Sequence, residues 1–470
     1  MMNFFDKNPH YEQRPLFINA AGRTITYADW YHHADALKAI IPRRSLAVII
    51  CRNTLGSALS YVCCLQNRIV PLLIDHDMDA DLMKRLIDTY KPAYIFQPTA
   101  RAADKSPLYT LEDYSVYQQA AHSPSLFEDL ALLLTTSGST GSPKLVRQSY
   151  ENIQSNAASI AQYLELDAFQ RPVSTLPMHY TFGLSVVNSH VLVGAAEYLT
   201  EDTLFDASFW ELCKKQQITS IAGVPFTYEC LKRLHFTAMD LPSLTLMIQA
   251  GGKLSKRLQK EYAEFAAAAG KRFVVMYGQT EATARMSYLP PADSLKKIGS
   301  IGIAIPGGVF HIMEDEHTEI TKPNIPGELC YEGPNVTLGY AQNAADLARG
   351  DERHGRLFTG DIAYVDADGF YYITGRKKRF VKIMGKRVNM DEIEQLFKNT
   401  FTVGDFAATG YDDDLWVFTT APETAISSFE NFLVKTTSLH PRCFTIRHID
   451  SIPKNSSGKT QYTALLSLIR

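Results

Sequence analysis

An apolar run, Leu132-Leu133-Leu134, passes without a break into Thr135-Thr136-Ser137-Gly138-Ser139-Thr140-Gly141-Ser142-Pro143-Lys144. Glycines let backbone N–H groups converge on an anion, hydroxyls add donors, and a lysine supplies a point charge suited to phosphate. A flexible Ser/Gly linker has a similar composition but seldom follows a buried strand so tightly or ends in Pro-Lys. The spacing is not that of the nucleotide-hydrolase P-loop, because Gly138 to Lys144 lacks the Gly-Lys-Ser/Thr ending. Ser457-Gly458-Lys459-Thr460 has that ending, yet the earlier glycine it requires is Pro453. The loop is therefore a phosphate cradle of another kind.

Further along stand groups that could complete a nucleotide site. Tyr277-Gly278-Gln279-Thr280-Glu281 ends an apolar run. Its carboxylate is a hard oxygen ligand, and Mg²⁺ binds through few carboxylates plus phosphate oxygens. A Thr-Glu pair can equally open a helix as a capping feature. Gly251-Gly252-Lys253 reads as a tight strand-to-helix turn. Asp361, in Thr359-Gly360-Asp361, can accept two hydroxyls or be an ordinary hairpin acid. Gly375-Arg376-Lys377-Lys378-Arg379 is a basic run, and for Lys377, Arg379 and Arg387 a solvated basic hairpin is the expected setting.

The elements that must position these groups read as an α/β protein. Buried-strand runs are expected at Leu46 to Cys51, Ala93 to Phe96, Leu130 to Leu134, Ile218 to Val224, Leu244 to Gln249 and Phe273 to Tyr277. Helix-like stretches intervene at Ser149 to Leu164, Phe205 to Gln217 and Ser255 to Ala269. Such alternation predicts layers around a largely parallel sheet, with ligands beyond the carboxyl ends of the strands. From about Ile298 the pattern changes to short strands and turns. Asp366-Ala367-Asp368-Gly369 predicts a hairpin between Ile362–Val365 and Phe370–Ile373. The expected division is an N-terminal region, 1–375, made of layered α/β sheets with a small β-rich module at about 298–375. A hinge joins it to a small α+β C-terminal domain, 376–470.

In this order the motifs resemble those of the adenylate-forming superfamily of acyl-CoA ligases, peptide-synthetase adenylation domains and luciferases. The resemblance spans about Thr24 to Lys459. It implies that Thr135, Thr136, Ser137, Gly138, Ser139, Thr140, Gly141 and Lys144 hold phosphates. It implies that Tyr277 packs on adenine beside Gly251, Gly252, Gly278 and Gln279, that Thr280 touches the α-phosphate and that Glu281 holds Mg²⁺. Asp361 would bind ribose and Arg376 ribose or phosphate. Lys378 is the hinge position, and Lys382 and Lys386 lie near the acyl acceptor. Pro453-Lys454-Asn455-Ser456-Ser457-Gly458-Lys459 matches the terminal motif, whose last lysine, Lys459, is the catalytic one. A cation there lowers the repulsion between carboxylate and α-phosphate.

The implied activity is ATP-dependent formation of an acyl-AMP from a small carboxylic acid, followed by transfer to CoA or to the phosphopantetheine of a separate acyl carrier protein. A light-emitting use of the acyl-AMP and a non-catalytic nucleotide-binding protein are the rival readings. His179, Tyr180, Thr181 and Phe182 fall at the acyl pocket. Thr181 stands where amino-acid-activating relatives carry an ammonium-pairing aspartate, so an α-amino acid is disfavoured unless another acid such as Glu229 reaches the pocket. An aryl or aliphatic acid is expected.

Composition fits this picture. Among 470 residues, 47 basic side chains face 50 acidic ones, net −3, so no general attraction to nucleic acid or an anionic membrane is implied. No apolar run approaches membrane-spanning length. The seven cysteines have no metal-knuckle spacing. Free thiols and a cytoplasmic setting are expected.

Overall fold

The computed structural model describes residues 3–102, 106–135, 144–377, 379–383, 386–437, 439–455 and 458–469. Thr136 to Gly141 of the phosphate-type loop, the hinge position Lys378 and Gly385 lie outside the described residues, as do the side chains of Lys382, Lys386 and Arg387.

The α/β reading holds. Among the described residues the strands form sheets of nine, eight, four, three and two. Leu46–Cys51 is buried along its whole length and pairs in parallel with Val70–Asp75 and Tyr94–Pro98. A strand covered on both faces needs a continuous apolar run, and that is what the sequence supplies there. In the nine-stranded sheet Pro172–Val173, Ser220–Gly223, Leu246–Gln249 and Arg272–Tyr277 run parallel in that order. Their carboxyl ends carry Val224, the Gly251-Gly252 turn and Tyr277.

Leu130–Thr135 pairs antiparallel with Leu145–Ser149, so residues 136–143 connect two adjacent antiparallel strands. The second strand ends in a helix, Tyr150–Tyr163, capped reciprocally by Ser149 and Asn152. A further helix, Thr181–Leu192, is buried from Phe182 to Val191, as expected of a helix apolar nearly all round.

The hairpin at Asp366–Gly369 forms between Arg356–Val365 and Tyr371–Arg376. Asp366 accepts from the amides of Asp368 and Phe370, and Gly369 adopts φ 84°. These strands and Val309–Met313 and Gly327–Glu332 make the four-stranded sheet. Ile303–Ala304 and Gly339–Ala341, from the same stretch of chain, instead extend the nine- and eight-stranded sheets.

The C-terminal segment has its own core. Helix Met390–Thr400 and strands Phe406–Tyr411, Asp414–Thr419 and Phe444–His448 enclose Phe397, Phe406, Phe429 and Leu433. Arg379 corrects the expectation of a solvated basic hairpin. It is largely buried, paired with Asp391 and Glu394, and its guanidinium lies 3.5 Å from the centre of the Tyr462 ring. Lys377 remains exposed but reaches Glu328 at 2.6 Å. All seven cysteines are free, six of them buried. No described helix is long and apolar enough to cross a membrane.

One buried cation ties the two sides of the future site together. Arg147, fully enclosed, donates to the carbonyls of Leu338 (3.0 Å), Tyr340 (3.2 Å) and Arg349 and pairs with Glu352. Arg147→Met strips a donor from three carbonyls and removes one of the two ion pairs of Glu352, whose other partner is Arg349. It should lower the unfolding free energy by about 3 kcal/mol. Chemical denaturation checks this; a midpoint equal to the parent's would show that Arg147 is not an anchor.

Candidate active site

The strand Arg272–Tyr277 delivers a loop that folds back on itself. Amides of Ala282 and Ala284 donate to Gln279 O, and Met286 N donates to Tyr277 O at 2.8 Å. Gly278 is required by this return: a Cβ there would lie 1.6 Å from Ala284 O. Thr283 and Ala284 take φ 53° and 98°, uncommon for residues with a side chain. The turn is held by Asn335, whose amide donates to Ala282 O and Arg285 O and which accepts from the Tyr331 hydroxyl.

This loop gathers the residues expected at the nucleotide. Tyr277 OH donates to Asp361 Oδ2 at 2.5 Å, and Gln279 Nε2 donates to the same oxygen at 2.8 Å. Asp361 is buried, which pushes its carboxyl pKa up against the pull of Arg376, whose Nε lies 3.3 Å from Oδ1. Burial also raises the Tyr277 phenol, with Asp361 adding to the effect. Thr280 O accepts from Gln148 Nε2 at 3.4 Å. The Gly251-Gly252 turn approaches Tyr180: a Cβ on Gly251, at φ 80°, would sit 2.5 Å from the Tyr180 hydroxyl. Gln249 Nε2 fixes the turn by donating to Gly252 O at 2.9 Å.

The metal position expected at Glu281 has a neighbour the sequence reading passed over. Tyr340 OH donates to Glu281 Oε1 at 2.7 Å, while Lys144 Nζ lies 3.2 Å from the centre of the Tyr340 ring. Arg353 stacks on that ring at 4.6 Å and donates to Glu281 O. The role of Tyr340 follows from its pairing with Val146, two residues beyond Lys144. Among the described residues no three His, Cys, Asp or Glu side chains gather into a metal site. One carboxylate beside a phosphate-type loop suits an ion that keeps phosphate oxygens and waters as its other ligands.

Lys459 arrives from the C-terminal segment. A turn in which Gly458 N donates to Asn455 O and Lys459 N to Asn455 Oδ1 presents it, and a Cβ on Gly458 would lie 3.2 Å from a Val224 methyl. Its ammonium lies 5.3 Å from the centre of the Tyr180 ring. Burial lowers its pKa, with Arg376 acting in the same direction and Glu281 opposing.

On the acyl side, His179 Nε2 sits 3.4 Å from Asp75, and burial lowers its pKa. Burial pushes the Tyr180 phenol up to about 12. Thr181 opens the buried helix and, with Ser185, Asn188, Gln148, Asn156 and Thr283, lines a cavity of about 10 Å³. Phe182 and Val186 pack in one cluster with Tyr180, while Leu184 and Val187 belong to the neighbouring core. Glu229 is directed elsewhere, into the fields of Asp405 and Lys454.

The AMP-binding enzyme family model matches residues 4–341. The chain belongs to that family. It is 30% identical over 387 residues to 2-succinylbenzoate–CoA ligase of Geobacillus sp. (strain WCH70), covering 78% of this chain and 74% of that one. It is likewise 30% identical over 350 residues to oxalate–CoA ligase of Arabidopsis thaliana, covering 71% and 66%. Two solved structures share the fold. The o-succinylbenzoate CoA synthetase of Bacillus subtilis, in complex with its acyl-adenylate, matches with TM-score 0.77 at 20% identity, over 96% of this chain and 95% of that one. The anthranilate CoA ligase AuaEII with anthranoyl-AMP gives 0.80 at 19%, over 99% and 97%.

If Tyr340 orients the Glu281 carboxylate for a metal, Tyr340→Phe should raise the Mg²⁺ concentration for half-maximal activity about tenfold, as outer-shell losses do. Glu281→Gln should raise it further. A Mg²⁺ titration that is unchanged in Glu281→Gln removes that residue from the metal site.

Proposed function

We propose that this enzyme is an AMP-forming acid–thiol ligase acting on a carboxylic acid without an α-ammonium group, with CoA as the acceptor. The observation that carries the reading is Lys459, half-buried over Tyr180 within the fields of Glu281 and Arg376. The CoA-ligase relatives point the same way.

In the first step a carboxylate oxygen attacks the α-phosphorus of ATP and the bond to the β-phosphate oxygen breaks, releasing pyrophosphate. Lys459 offsets the charge where two anions meet. Lys144 and the loop before it hold the phosphates, Thr280 the α-phosphate, and Asp361 with Arg376 the ribose. Tyr277, Gly251 and Gly252 flank the adenine. Glu281 would hold Mg²⁺, which supplies charge neutralisation on the phosphates when bound. In the second step the CoA thiolate attacks the acyl carbonyl and AMP leaves. No general base is needed for the acid, which ionises near pH 4 to 5. Rotation of the segment beyond about residue 376, hinged at Lys378, would exchange Lys459 for the face around Lys382 and Lys386. A carrier protein's phosphopantetheine presents the same thiol as CoA, and parallel assays with both separate the two. The free cysteines suit a reducing, cytoplasmic setting.

Lys459→Ala should cut acyl-AMP formation about a hundredfold or more, in the range of lost transition-state donors, and spare thioester formation from presynthesised acyl-AMP. A lysine acts charged, below its pKa. With that pKa lowered, adenylation should decline with rising pH below the ordinary lysine range. Equal losses in both half-reactions would count against the division of labour.

In ATP–pyrophosphate exchange, a desamino acid should outperform the α-amino acid of the same side chain. Enclosing an unpaired ammonium costs several kcal/mol, about a thousandfold. The substrate class is wrong if any free amino acid wins such a comparison.

A further inference from the structure

Arg285 takes no part in the chemistry above, and it is 1% exposed. Its Nε donates to Ser185 Oγ at 3.1 Å; Nη1 reaches Tyr163 OH and Met276 Sδ, each at 3.3 Å. The Phe182 ring lies 5.0 Å from the guanidinium. Nη2 is buried without a hydrogen-bond partner. Among the described residues no carboxylate pairs with this side chain; its polar neighbours are neutral. Nearby His190 is neutral as well, its pKa pushed down to about 4 by burial. A guanidinium keeps its charge and carries five donors. Enclosing one without an anion is expensive, so its retention calls for a charge that arrives.

The surroundings say where that charge comes from. Ser185 lies one helical turn beyond Thr181, and both line the same cavity. Met276 directly precedes Tyr277. Tyr180, under the Lys459 ammonium, and Met276, against the guanidinium, belong to one packed cluster with Phe182, Val186, Ile248 and Ala250. The strained turn at Thr283 and Ala284 delivers Arg285 into this cluster, and Asn156 and Asn335 clamp its carbonyl at 2.8 and 3.1 Å.

We propose that Arg285, oriented by Ser185, binds a second carboxylate of the acid substrate at the end of the acyl site remote from Lys459. The substrate is then a dicarboxylic acid, activated at one end and held at the other. This rests on the acid-activation reading and adds to it the class of acid. It is consistent with the lack of an ammonium-pairing acid at Thr181, since the cation Arg285 stands behind Ser185, which lines the same cavity as Thr181.

The test is pyrophosphate release with matched pairs: propionate with malonate, butyrate with succinate, hexanoate with adipate, benzoate with phthalate. The parent protein should prefer the dicarboxylate in at least one pair. Arg285→Met should lower that diacid-to-monoacid ratio in kcat/KM by about a hundredfold, because a site built around a polar partner discriminates strongly. Arg285→Lys should recover part of it, and Ser185→Ala should lower the ratio severalfold without removing the charge. Circular dichroism and melting curves establish that each variant is folded; where Arg285→Met is not, the Ser185→Ala ratio decides. An unchanged ratio in the folded variants, or monoacids preferred in every pair, overturns the proposal while leaving acid activation intact. No pyrophosphate release with any acid overturns acid activation itself, and this proposal with it.

Discussion

The return of residues 277–286 onto Gly278 is the constraint on which the rest of the site depends. Ala284 O occupies the space a Cβ would need, so the backbone is locked into a small loop from which three side chains leave in different directions. Gln279, with Tyr277, reaches Asp361; Glu281 reaches Tyr340; Arg285 reaches Ser185. Loosening the loop would disorganise the proposed ribose, metal and acid positions together. Asn335 and Asn156 satisfy its carbonyls from two sides, which is how residues at positive φ remain in place.

Electrostatics here is local. The chain carries net charge −3, yet Lys144, Arg353, Arg376 and Lys459 converge near two carboxylates, Glu281 and Asp361. Such a cluster suits a polyanion and would be destabilising without one. Tyr340 moderates it by offering a ring face to Lys144 and Arg353 and its hydroxyl to Glu281. The lowered pKa of Lys459 follows from the same crowding: burial and Arg376 disfavour its proton, and Glu281 only partly compensates.

What the sequence made legible was local in origin. Leu46–Cys51 is apolar throughout because both its faces are covered, and the Asp366–Gly369 turn carries its own hydrogen-bonding side chain. Tyr277, Gln279, Asp361 and Arg376 were named as site residues, and the fold brings them together. The missed residues owe their roles to distant pairing. Tyr340 meets Lys144 only because Gly339–Ala341 adds a strand beside Leu145–Ser149. Arg379 was read as solvated because its partners, Asp391, Glu394 and the Tyr462 ring, come from elements whose packing no local pattern reveals. Arg285 stands among small and apolar neighbours, Ala282-Thr283-Ala284 and Met286, where a lone basic residue was the one available signal.

The way Lys459 is held bears on the proposed rotation. Its turn passes close to Val224 at Gly458, where a Cβ would lie 3.2 Å from the valine, and Lys454 lies 4.6 Å from the centre of the Phe226 ring. Among the described residues, polar links from the C-terminal segment include Lys256 N to Asn399 at 3.3 Å, Lys377 N to Gly360 O at 2.7 Å, Arg376 to Asp361, and Lys377 to Glu328. Arg376 and Lys377 are both more than half exposed, so solvent screens their side of these pairs. The ion pairs that resist disruption, Arg379 with Asp391 and Glu394, lie wholly inside the C-terminal segment and would travel with it. Strong contacts within a part and weak ones between parts are what a moving element requires. On the proposed mechanism the Lys459 ammonium would be withdrawn after adenylation without unfolding the segment that carries it.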